Sequence, residues 1–293
     1  IILSFKMNYN DITVGIVTFK SEKVIFQCLK SITKIKKIII FDNSNDKILC
    51  QKINKKYPNI KCILSKSNIG YGAANNRVFK AATTPYVFIL NPDTILDKNC
   101  IKQLISQSRI LKNKFAILSP STKVKNYGYF KDSQNTKLIY KNILDVDFVR
   151  GFSMLVNLSK IKKVGFFDKN FFLYLEEIDL CKRLKENFEK IYIIKNAKIK
   201  HLGAKSSNIG FEFDKCRNWH WMWSNVYYDI KNHSYVFAFK KSILKVVKYH
   251  LKALFFLILF QKEKCLISFM RGSGLLNSLI GKKSWYRPTI DNS

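Results

Sequence analysis

Four groups of polar side chains stand at the ends of short apolar runs, and their types are those of a site that handles phosphates or sugars. Thr18 ends ITVGIVT (12–18), and Asp42-Asn43 ends KIIIFD (37–42). Asn68-Ile69-Gly70-Tyr71-Gly72 follows the run at 60–64, and Asn91-Pro92-Asp93 ends YVFIL (86–90). One carboxylate after a strand is usually a turn residue or a helix cap. Four polar groups in the same kind of position call for a shared reason.

Two chemistries need that layout. A dinucleotide site needs a glycine-rich turn under a pyrophosphate, and Gly70-Tyr71-Gly72-Ala73-Ala74-Asn75 approaches GxGxxG. The third glycine is replaced by Asn75, and the turn belongs to the third βα unit rather than the first. The other chemistry is a sugar-nucleotide site. There an aspartate after the second strand accepts a hydrogen bond from the base. A carboxylate after a later strand holds a metal against the diphosphate, and hard oxygen ligands suit Mg2+ or Mn2+.

The elements that must carry these residues follow from hydrophobic spacing. Strands are predicted at 12–18, 37–42, 60–64, 86–90 and 116–119, with helices at 21–34, 46–57, 72–82 and 98–110 between them. This alternation predicts an α/β fold with a mostly parallel central sheet and helices on both faces, binding its ligand at the carboxyl ends of the strands. The stretch from Pro120 to Asp145 reads as a polar loop. A strand at 148–157, a helix at 178–187 and strands at 190–194 and 197–201 complete the domain. The expected division is 1–10 as a disordered leader or start-site artefact, 11–230 as the catalytic domain, and 231–293 as a helical tail.

Composition narrows the classes. The chain has 293 residues, 47% of them hydrophobic, which supports a full core and excludes wholesale disorder. Its net charge of +32 invites a nucleic-acid or acidic-membrane partner. Only seven of its 52 basic residues are arginine, the preferred residue for planar phosphate and base recognition. No helix-turn-helix, zinc-finger spacing or RNA-binding signature is visible, so a basic nucleic-acid-binding module rests on charge and aromatics alone. A nicotinamide-dependent oxidoreductase rests on the imperfect glycine turn alone. A nucleotidyltransferase would need a glycine-rich loop after the first strand, and 18–23 has no glycine. Seven scattered cysteines without a CxxC pair fit a reducing compartment, hence the cytoplasm.

Seven segments in order carry a more specific likeness: VGIVTFK (14–20), IIIFDNS (38–44), NIGYGAANN (68–76), FILNPDT (88–94), VRGFSMLV (149–156), VGFFDKNFFLYLEEIDLCKR (164–183) and IKHLGAKSS (199–207). Over roughly 10–210 the chain resembles the inverting family-2 glycosyltransferases, in their rhamnosyltransferase-like branch. The resemblance implies a Rossmann-like nucleotide-diphosphate-sugar-binding fold of the glycosyltransferase A type. It implies transfer of a sugar, a rhamnose-like deoxysugar foremost, from a dTDP-, UDP- or GDP-linked donor to a glycan or polyprenyl-linked acceptor in surface-polysaccharide assembly.

Carried over by position, Thr18, Phe19, Lys20 and Asp42 would hold the nucleoside. Asn68, Gly70, Asn75 and Asn76 would line the ribose and diphosphate. Asp93 would be the metal-binding residue of the DxD motif, whose first position is here Asn91, with His201 a further ligand for Mg2+ or Mn2+. Glu177 would be the base that deprotonates the acceptor, with Glu176 as the alternative, where the family usually has Asp at the second position. Gly151 and Phe152 would face the acceptor. Asp179 and Arg183, one turn apart, read as a structural pair.

The tail is aromatic and then basic. Trp219 could stack on an acceptor sugar or pack in a core. Lys241, Lys245, Lys248 and Lys252 form a stripe beside Val246, Val247, Leu251 and Leu254. Two readings stay open: a helix lying on an anionic leaflet at the cytoplasmic face of the inner membrane, or a helix packed on the domain with a solvated lysine face. The longest uncharged stretch, Ala253–Gln261, is too short to span a bilayer.

Overall fold

The computed structural model describes residues 6–122, 136–203 and 210–288. Residues 1–5 of the expected leader, and the last four residues of the 199–207 segment, lie outside them. The chain forms two units: Ile1–Asp168 with Glu177–Ser207, and Lys169–Glu176 with Asn208–Ser293.

In the first unit the order is β1 (Ile12–Thr18), α1 (Glu22–Ser31), β2 (Lys37–Asp42), α2 (Lys47–Lys56), β3 (Ile60–Leu64), α3 (Tyr71–Ala81), β4 (Tyr86–Leu90) and β5 (Thr94–Leu96). Then come α4 (Cys100–Ile110), β6 (Ile117–Ser121), β7 (Lys137–Tyr140), β8 (Ile143–Asp145), β9 (Ser153–Asn157), α5 (Leu158–Val164), α6 (Glu176–Glu186) and β10 (Ile191–His201). The sheet runs β3-β2-β1-β4-β9-β6-β10-β8-β7, with β5 paired to β10. Strands β3, β2, β1 and β4 are parallel, as are β6 and β10. β9 is inserted antiparallel between β4 and β6.

Alternation along the strands divides the core into two faces. Ile16, Ile40, Phe88 and Leu155 pack with residues of α1, α2 and α4. Val17, Ile39, Val87 and Met154 pack with residues of α3, α5 and α6. Gly15 lets α3 lie close on the sheet: a Cβ there would collide with the Val78 side chain. All seven cysteines are free thiols, and burial pushes Cys28, Cys100 and Cys181 up to about 12, so they stay protonated.

Three sequence expectations change. Met7 is fully buried and its carbonyl accepts from Arg109 at 3.2 Å, so the chain is folded from Met7 on rather than from residue 11. The 120–145 stretch contains the β7–β8 hairpin. β7 is exposed at all four positions, so it has no burial alternation to betray it. The two strands expected at 190–201 are one strand whose register against β6 shifts between Ile194 and Lys198. Beyond that bulge β10 turns to β5 and sets His201 opposite Thr94.

The second unit takes in α7 (Phe211–Asn232), α8 (Tyr235–Ile258) and α9 (Lys262–Leu279), so the helical region starts some twenty residues before the expected boundary at 231. Trp219 is fully buried, stacks on Trp223 and donates its Nε1–H to Ser273 at 3.2 Å. Its face is used in packing, the second of the two readings its sequence context offers. Gly274 leaves room for the Trp219 carbonyl, where a Cβ would clash. Burial holds His220 neutral, its pKa lowered to about 3, and its Nε2 lies 2.8 Å from the Tyr286 carbonyl. Among the described residues no helix is long and apolar enough to cross a membrane.

Gly15→Ala must displace α3 from the sheet. It should lower stability by about 1–3 kcal/mol, read as a fall in the thermal midpoint. An unchanged midpoint would mean that α3 is free to shift.

Candidate active site

The site is built from the carboxyl ends of β1–β4 and the entry to β9. At the first corner Thr18, fully buried, donates to Asp42 Oδ2 at 2.7 Å. Asp42 Oδ1 accepts from the Ser44 and Asp46 backbone N–H groups at 3.0 and 2.9 Å, and the Ser44 hydroxyl donates as well. These donors meet the lone pairs of one carboxylate. In this structure Asp42 therefore ties the first and second strand ends together. Lys20, exposed and with φ +52, has its backbone N–H on Ser44 Oγ at 3.2 Å, beside the buried Phe19.

The glycine turn is braced by asparagines. Gly70 has φ +89, a conformation that costs glycine little and other residues more. Asn68 Oδ1 accepts the Gly70 N–H at 3.0 Å, and Asn43 bonds both the Gly70 carbonyl and the Ile69 N–H at 3.3 Å. Asn75 donates to the Tyr71 carbonyl at 3.1 Å, and its buried Oδ1 has no partner among the described residues. Asn76 is spent differently: its amide clamps the backbone of Phe167 from both sides, at 2.8 and 3.1 Å. That placement makes it a brace for the 165–168 loop.

At the end of β4 the chain turns through Asn91-Pro92-Asp93. Asn91 N–H donates to the Phe152 carbonyl at 2.9 Å, and the Asn91 carbonyl accepts from the Thr94 hydroxyl at 2.7 Å. Asp93 is 1% exposed. Its Oδ1 lies 3.2 Å from His201 Nε2, and its Oδ2 has no hydrogen-bond partner among the described residues. Asn91 Oδ1 is likewise buried and without a partner. The His201 ring is fixed by stacking on Phe152, centroids 4.4 Å apart and 11° from parallel. Phe152 thus acts on the imidazole, and being largely buried it offers little surface to an acceptor.

Glu177 lies in the first turn of α6, against Gly151. A Cβ on Gly151 would stand 3.5 Å from the Glu177 carboxyl carbon, ordinary contact distance. Desolvation raises the Glu177 pKa above the ordinary carboxylate value. Hydrogen bonds from the backbone N–H groups of Glu177, Gly151 and Ile178, and then the Arg150 charge, offset part of that rise. Of the two glutamates, Glu177 is the one whose side chain lies against Gly151; Glu176 is buried. Asp179 and Arg183 form the expected pair, Nε to Oδ2 at 2.8 Å. The same guanidinium also donates to the carbonyls of Val164, Gly165 and Phe166 at 2.7 to 2.8 Å, fixing α6 to the preceding loop.

Two contributors escape a reading of motifs. The Tyr71 hydroxyl donates to the Gly151 carbonyl at 2.6 Å, joining the glycine turn to the β9 entry. Tyr174 and Leu175 both have positive φ, +72 and +70, just before α6. Non-glycine residues occupy that region at a cost, and here two do so in succession. No local sequence signal announces the first feature, because it spans 80 residues.

Residues 13–181 match the family model "Glycosyl transferase family 2". The chain is 26% identical over 199 residues to the low-salt glycan biosynthesis hexosyltransferase Agl10 of Haloferax volcanii, covering 60% of this chain and 62% of that protein. It is 28% identical over 212 residues to the rhamnosyltransferase WbbL of Escherichia coli K12, covering 63% and 78%. Among solved structures it resembles the mannosyltransferase PcManGT of Pyrobaculum calidifontis, solved with GDP-Man and Mn2+ (TM-score 0.57, 11% identity, 93% of this chain and 88% of that one). It also resembles GalNAc-T7, solved with UDP, GalNAc and Mn2+ (TM-score 0.54, 12% identity, 64% and 43%). These structural likenesses carry the fold alone, which is the glycosyltransferase A type. With more than half of its length matched by the family model, the chain belongs to the family-2 glycosyltransferases.

Proposed function

We propose that this chain transfers a sugar, a rhamnose-like deoxysugar foremost, from a nucleoside-diphosphate donor to a hydroxyl of a glycan or polyprenyl-linked acceptor, with inversion, in surface-polysaccharide assembly. The observation that carries the reading is the meeting of two functions at one strand entry. Gly151 touches the candidate base, and Phe152 holds the imidazole beside Asp93.

A divalent cation fits the corner at Asp93. The donor set is one carboxylate, one imidazole and one amide oxygen, and two of its oxygens are buried and unsatisfied. Among the described residues no three or more His, Cys, Asp or Glu side chains are grouped so as to hold a metal ion by themselves. A site of this kind takes its remaining ligands from substrate phosphates and water, as Mg2+ and Mn2+ sites commonly do. The imidazole favours Mn2+ over Mg2+. When bound, such an ion would stabilise negative charge on the leaving diphosphate.

Glu177 takes the acceptor proton as the acceptor oxygen attacks the anomeric carbon on the side away from the nucleoside diphosphate. The carbon–oxygen bond to the diphosphate breaks, and the proton stays on the Glu177 carboxylate. A carboxylate whose pKa is raised by burial is a stronger base than a solvated one. Thr18 and Asp42 hold the first two strand ends under the nucleoside. Gly70 and Asn75 supply the turn beneath the ribose and diphosphate, and Asn68 fixes its shape.

Glu177→Gln should lower kcat by about 10²–10⁴ while donor affinity stays within a few-fold; a loss of donor binding instead would make Glu177 a ligand or a brace. The active form of Glu177 is the charged one. Rate should therefore fall as pH drops through a pKa above the ordinary carboxylate value. An acid limb at or below that value would contradict the base assignment. Asp93→Asn should abolish the Mn2+ dependence of nucleoside-diphosphate binding, measured by calorimetry, and unchanged dependence would remove Asp93 from the metal site.

A further inference from the structure

α8 is built inside out for a helix exposed to water. Its buried residues are small or modest: Ala238, Ser242, Val246 and Ala253, all on one line of the helix. The opposite line carries Leu244, Val247, Leu251, Leu254 and Ile258, recurring every three or four residues. Leu244 is 78% exposed, Leu251 62% and Ile258 66%, so these side chains point away from the helices that α8 packs on. The stripe ends at Phe260, 94% exposed in the turn before α9. An apolar strip of this length is uncommon on a surface that meets only water.

The charges choose its occupant. α8 has five lysines and no carboxylate, and Lys262 and Lys264 follow within six residues of its end. Lys241, Lys245, Lys248 and Lys252 repeat at the same three- and four-residue spacing as the leucines, one residue further on. They form a second line beside the apolar one, about 100° round the helix. Lysines along one edge of an outward apolar face suit a helix that sinks its leucines into a bilayer surface and keeps its cations at the headgroups. A second copy of the chain is a poorer match: two such helices would bring ten lysines together with no carboxylate from either.

We propose that the outward face of α8 and the turn at Phe260 dock on the surface of an anionic bilayer without crossing it. This inference stands independently of the catalytic reading. Of the two sequence readings of the tail, it favours the leaflet: the exposed face is the apolar one, and the lysines flank it.

The test is co-sedimentation of the full chain with two kinds of vesicle, pure phosphatidylcholine and equal parts phosphatidylcholine and phosphatidylglycerol. Binding is expected to the anionic vesicles and to weaken with salt. Lys245→Gln with Lys248→Gln should reduce it about tenfold. Leu251→Asp with Ile258→Asp should abolish it. Both pairs are exposed, so thermal midpoints should move little, and circular dichroism checks that each variant is folded. Failure of the wild-type chain to bind anionic vesicles would overturn the proposal, as would binding that the folded aspartate variant retains. Self-association that the aspartate variant abolishes, with no vesicle binding, would assign the face to a second copy and overturn it equally.

Discussion

The antiparallel pairing of β9 with β4 is the constraint on which the site depends. In a parallel neighbour, the end of the strand would lie beside the end of β4. Because β9 runs the other way, its beginning lies there, with Ser153 opposite Leu90. Gly151 and Phe152 are thereby delivered next to Asn91-Pro92-Asp93, and the bond from Asn91 N–H to the Phe152 carbonyl closes the join. From that dipeptide the rest is positioned: Tyr71 through the Gly151 carbonyl, Glu177 through the Gly151 N–H, and His201 through the Phe152 ring.

The electrostatics of the two corners differ in a way that suits two tasks. Asp42 is buried among donors that meet its charge, so it is structural mortar between β1 and β2. Asp93 is as deeply buried and lies beside an imidazole, but one of its oxygens has no hydrogen-bond partner among the described residues. A buried unsatisfied carboxylate oxygen is costly unless a cation or donor completes it. Glu177 lies between these cases. Its desolvation is only partly met by backbone donors, which leaves a carboxylate with an appetite for a proton.

Much of this was legible in the sequence. Strands β1 to β4 were bounded correctly because each is a short β-branched run flanked by polar or turn residues, and a buried parallel strand leaves just that trace. Thr18, Asp42, Gly70 and Asp93 fall at the strand ends as expected. The asparagines were harder. Asn68, Asn75 and Asn76 look alike in a motif, yet one braces a turn, one leaves an oxygen free and one clamps a loop 91 residues away. Trp219 stayed open between two readings because an aromatic cluster reads the same whether it packs inward or faces a sugar. The bulge in β10 reads in the sequence only as a gap between two strands, at 190–194 and 197–201, and its consequence, His201 set opposite Thr94, needs the pairing with β5.

Asp93, His201 and the strand ends around them are proposed to form a metal-assisted nucleoside-diphosphate site. Thermal unfolding of the wild-type chain with dTDP, UDP and GDP, each with and without Mn2+, tests it most directly. A ligand at 100 times its Kd stabilises by about 2.7 kcal/mol, a rise of roughly 5–10 °C for a chain of this size. Such a rise is expected for at least one diphosphate and only when Mn2+ is present. No rise with any of the three, or a rise indifferent to the metal, would contradict it.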